Sequence, residues 1–164
     1  MDFLHSIENL GFSTWIRESP SVWAYPSVIT LHTFGLAFLV GLNAAVDLRI
    51  VGFSERLPLY PMKGFFPVMW VAFFVNAGSG IILLMADAST MLTNPVFYIK
   101  MGCMVLAMAN LRLIGRMLFR DPEAAKRPVP LAGKILACTS LALWMGAITA
   151  GRLTAYIGSS ASVR

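Results

Sequence analysis

Four apolar runs, at about residues 22–48, 65–85, 97–118 and 131–157, constrain this chain more than any other feature. Each approaches or exceeds the roughly 20 residues that cross a bilayer as a helix. A lone strand in hydrocarbon leaves its backbone groups without partners, so each run is predicted to be a helix. Pro61, Pro95, Pro122, Pro128 and Pro130 fall between the runs, where helix breakers belong. Composition agrees: of 164 residues, 57% are hydrophobic and 13% charged, against about 25% charged in soluble domains.

Residues 1–20 read differently. Leu4, Ile7, Leu10 and Trp15 recur at helical spacing, with Asp2, Ser6, Glu8 and Asn9 elsewhere on the wheel. That pattern suits an amphipathic helix lying in the membrane interface and ending at Ser19-Pro20. It lacks the basic start, continuous apolar core and small-residue cleavage site of a signal peptide. The expected architecture is therefore all-α: an interfacial segment over 1–20, then a four-helix transmembrane bundle over 21–164.

Lysine and arginine placement gives the orientation. Arg49, Arg56 and Lys63 join the first two spans, and Arg112, Arg116, Arg120, Lys126, Arg127 and Lys134 surround the join between the last two. Arg17, Lys100, Arg152 and Arg164 lie on the other side. Both termini are expected to face away from the cytoplasm, in a bacterial inner membrane. The net charge of +5 does not indicate nucleic acid, because the basic residues sit between apolar runs and form no stripe.

Ionisable and polar residues inside spans are costly and tend to face the bundle interior. His32 lies in the outer half of the first span, and Gly35, Leu39 and Asn43 share its face. Gly35 is expected to leave open space beside the imidazole. Lys100 opens the third span at that depth, Thr149 and Arg152 close the fourth, and the second adds Asn76 and Ser79. A histidine beneath two cations suits a ligand with an apolar body and an anionic rim. Haem b answers to that: imidazole ligates the iron, while Lys100 and Arg152 meet the propionates. Quinone fits less well, since two cations would lack a role. The plainer reading is a histidine hydrogen-bonded to a neighbouring helix, with Lys100 and Arg152 snorkelling to lipid phosphates.

For a second axial ligand, the candidates are His5 on the surface helix, Met104 in the stripe Met101, Met104 and Met108, or His32 of a second copy. A methionine stripe is more often core filler. At the inner side, Asp47 is expected to be clamped by Arg49 or Arg112, the alternative being a proton-relay group. Cys103 and Cys138 lie at unequal depths, so no disulfide is expected. No Walker A motif, nucleophile elbow or paired-histidine zinc motif is present.

The stretch SPSVWAYPSVITLHTFGLAFLVGLNAAVDLRIVG, with Tyr25-Pro26, His32 before Gly35 and the Asp47-Leu48-Arg49 exit, resembles an uncharacterised family of small four-span bacterial inner-membrane proteins. The closing GRLTAYIG is similar as well. That resemblance implies the four-span fold and no particular activity. More distantly, the layout is similar to the membrane domain of copper-resistance protein D and to four-helix b-type cytochromes. Those place several histidines across the bundle. This chain has one in its spans, which excludes a bis-histidine, two-haem arrangement within one copy.

The leading expectation is electron transfer, by a haem protein or a subunit of a larger membrane redox complex. The first alternative is a small transporter or channel, with His32, Asn43, Asp47 and Asn76 lining a polar track at an oligomer interface. The second is a structural or assembly subunit docking through its N-terminus. Gly35, Gly41, Gly78 and Gly80 permit close helix approach within one chain or between copies of a homo-oligomer.

Overall fold

The apolar runs form helices whose ends are set by local chemistry. The computed structural model describes residues 23–53, 56–120 and 128–161, with no strand among them. The expected surface helix over 1–20, with His5, lies outside the described residues. Helix α1 spans Ala24–Val51. It stops where Gly52 adopts a left-handed φ of 112° and its N–H caps the Leu48 carbonyl. A 3-10 turn at Tyr60–Gly64 leads into α2, Phe65–Ala86. The short α3, Ala88–Leu92, connects to α4, Pro95–Leu118. Pro95 starts α4 rather than interrupting it, because the first helical position needs no N–H partner. Asn94 caps that end by accepting the Val96 N–H at 2.9 Å. Helix α5 runs Leu131–Ala161.

Helices α1, α2, α4 and α5 are each long and apolar enough to cross a membrane, and the protein is an integral membrane protein built as a four-helix bundle. Its outward faces carry Leu31, Phe34, Phe38, Val71, Phe74, Val105 and Met145, all exposed. Lipid covers such surface without cost. Trp23, Tyr25 and Tyr98 at one end and Tyr60 at the other fit the aromatic belts of a membrane interface.

The α1–α2 and α4–α5 pairs pack closely, and α1 also packs against α5; α2 and α4 stand further apart. Lipid removes the hydrophobic drive between helices, so close approach depends on small residues and interhelical hydrogen bonds. Gly35 shows this directly: a Cβ there would stand 2.9 Å from the Asn76 nitrogen and 3.1 Å from the Ala72 oxygen. Large side chains bridge the wider gap between α2 and α4. Phe66 lies against Gly115 and meets the Phe119 ring at 5.0 Å, and Arg112 sits over Trp70 at 4.7 Å.

Two apolar clusters fill the interior. The central one joins Leu39, Met69, Ala72, Met104, Met108, Leu111 and Trp144. The other, at the end holding the α1–α2 and α4–α5 connections (the loop end), joins Val46, Ile50, Leu59, Met62, Ile114 and Leu118. Between and beyond these clusters lie the polar side chains that carry chemistry.

Candidate functional site

His32 sits two turns inside the terminal end of α1 and turns towards α2. Its Nδ1 lies 3.0 Å from the Asn76 carbonyl oxygen and 3.1 Å from Ser79 Oγ. Ser79 gives its own proton to the Val75 carbonyl at 2.7 Å, so its oxygen faces the ring as an acceptor. Two acceptors around Nδ1 assign the ring proton to that nitrogen. Nε2 then keeps its lone pair, with the Asn76 side-chain amide nitrogen 3.5 Å away.

Asn76 contributes twice. Besides offering its carbonyl to Nδ1, its side-chain amide donates to the His32 carbonyl at 2.8 Å, and the same nitrogen lies 3.3 Å from Nδ1. Its Oδ1 is buried without a partner. Gly80, one turn further along α2, makes room for the ring: a Cβ there would stand 3.1 Å from His32 Cε1.

Lys100 of α4 is half-buried and close enough to act electrostatically on the imidazole. Its stem lies along α5, with Cε 3.6 Å from where a Cβ on Gly151 would stand. Arg152 and Thr149 are exposed on α5. Of the two expected cations, Lys100 is half-buried between α4 and α5 and Arg152 is exposed.

Two expectations need correction. The space expected beside Gly35 is filled by the Ala72–Asn76 backbone, so this glycine seats a helix rather than opening a pocket. The expected Asp47 clamp also does not form. Arg49 Nε donates to the Leu57 carbonyl, and Arg112 lies over Trp70. Asp47 instead accepts from the Asn43 amide at 2.8 Å, and the same amide reaches Ser140 Oγ at 3.0 Å. Both arginines have nearer acceptors outside the bundle axis, while Asp47 faces inwards.

Met104 is buried in the central cluster, one turn along α4 from Lys100, with Met108 a turn further. The methionine stripe is thus core packing. Cys103 and Cys138 are both free, as their depths require. Among the described residues no group of three or more His, Cys, Asp or Glu side chains converges as a metal cage.

Sequence reasoning missed Ser140, Trp144 and Asn110. Asn43 Nδ2 reaches Ser140 Oγ at 3.0 Å, and Asn110 Nδ2 ties α4 to α5 through the Leu136 carbonyl at 2.7 Å. Small polar residues inside apolar runs were the available signal. Comparison of the chain with family models, with curated proteins and with solved structures finds no match.

Proposed function

We propose that the protein is an electron-transfer component of the bacterial inner membrane, holding a b-type haem on Nε2 of His32. The observation that carries this is the anchoring of Nδ1. Histidines that ligate metal characteristically donate their other ring N–H to a carbonyl or carboxylate, which fixes the ring and raises ligand basicity. The Asn76 carbonyl supplies that acceptor at 3.0 Å. Bound haem supplies a one-electron redox couple tuned by its axial ligands and surroundings.

The chain's own residues do the rest. Asn76 and Ser79 orient the imidazole, and Gly80 leaves clearance at its Cε1 edge. Lys100 offers a fixed cation to a propionate, and exposed Arg152 offers another at the interface. The apolar side chains around the helices keep water from the ring. A second ligand to the haem iron would be His5, the other of the chain's two histidines. The excess of basic residues at the loop end supports a cytoplasmic loop end, with His32 in the outer half of the bilayer. The visible spectrum of purified, dithionite-reduced protein is the test: near-stoichiometric Soret and α-bands support the proposal, and their absence ends it.

A further inference from the structure

Asp47 is fully enclosed, 0% exposed, on the side of α1 that faces the bundle interior. A carboxylate removed from water is normally matched by a cation or a metal ion. The charged groups on the surrounding elements are engaged or turned outwards. Arg49 reaches the Leu57 carbonyl, Arg112 covers Trp70, and Arg116 and Lys134 are exposed. Helix α2 contains no charged residue at all. Asp47 accepts from the neutral Asn43 amide, which also reaches Ser140 Oγ.

A second observation points to what balances the carboxyl. Asp47 Oδ1 and Asn43 Oδ1 are both buried acceptors without a partner. They belong to the same pair of groups, because Asn43 Nδ2 already donates to Asp47 Oδ2 at 2.8 Å. A proton on Oδ1 turns one of these two orphaned acceptors into a donor and removes the buried charge. Ionised, the pair leaves both oxygens unsatisfied in a low-dielectric interior, which is costly.

We propose that Asp47 is a proton-binding site: its carboxyl carries a proton on Oδ1 and exchanges it with water at the loop end of the bundle. On release, the proton passes to water and leaves a carboxylate held by Asn43 Nδ2, so charge and atoms balance with no further reactant. Val51, the last residue of α1, is one turn away, about 6 Å along the axis. His32 is fifteen residues away in the other direction, about 22 Å, so this site stands independently of haem at His32.

Infrared difference spectroscopy on the full-length protein in lipid vesicles tests the proposal. At neutral pH the wild type is expected to show a carboxylic-acid C=O band that shifts to lower frequency in D2O and is missing from Asp47→Asn. A band that persists in Asp47→Asn, or that ignores D2O, overturns the proposal. Stability gives a second readout that does not depend on the spectrum. Asp47→Asn should unfold at the same denaturant concentration as wild type or higher, because it mimics the protonated acid. A marked drop would mean that an ionised, partnered carboxylate had been removed, which also overturns it.

Discussion

Asn76 of α2 holds His32 of α1 at two points: its side-chain amide donates to the His32 carbonyl at 2.8 Å, and its carbonyl faces His32 Nδ1 at 3.0 Å. One residue thereby fixes both the main chain and the ring of its neighbour. Replacing it with alanine removes the first contact and keeps the second. Interhelical hydrogen bonds in membranes are worth about 0.6 kcal/mol on average and at most about 1.7. Asn76→Ala is therefore expected to lower unfolding stability by about 1 kcal/mol, read from denaturant titration in mixed micelles.

The glycines beside this clamp separate packing from site chemistry. A side chain at Gly35 meets the α2 backbone at 2.9 Å, and backbone cannot swing aside. Gly35→Val is expected to cost about 1–3 kcal/mol as an overpacked interface. At Gly80 the obstacle is the His32 ring at 3.1 Å, which gives by a few tenths of an ångström. Gly80→Ala should keep near-normal stability and change the absorption spectrum of the bound haem. Thermal melts and spectra of the two variants check both halves.

Topology has its own test. With the loop end cytoplasmic, alkaline phosphatase fused after Arg164 is expected to be active, and fused at Lys63 inactive. The reverse pattern would place His32 in the cytoplasmic half.

Much of this fold was readable in the sequence, because a span must be continuously apolar and must satisfy its own backbone. The span ends fall within a few residues of those expected: α1 runs on to Val51, where Gly52 caps it, Pro95 opens α4 two residues early, and α5 continues to Ala161. The inward face of His32 was readable too, as were Asn76 and Ser79 at its depth. What lay opposite each residue was not readable. Gly35 looked like an opening, yet α2 fills it, since spacing along one helix says nothing of which neighbour approaches. Asp47 looked clamped because arginines were near in sequence, but Arg49 and Arg112 point to a loop carbonyl and an indole. Ser140 joins Asn43 only through the α1–α5 contact, which no local pattern encodes.

The central claim is tested most directly by the reduced-minus-oxidised absorption spectrum of wild type, His32→Ala and His5→Ala, purified in detergent and matched for protein. Wild type is expected to carry haem near one per chain with a sharp α-band. His32→Ala should lose the haem, while His5→Ala should retain it in altered ligation with a weakened α-band. Haem-free wild type, or a His32→Ala protein with an unchanged spectrum, would contradict the assignment of His32 as the haem ligand.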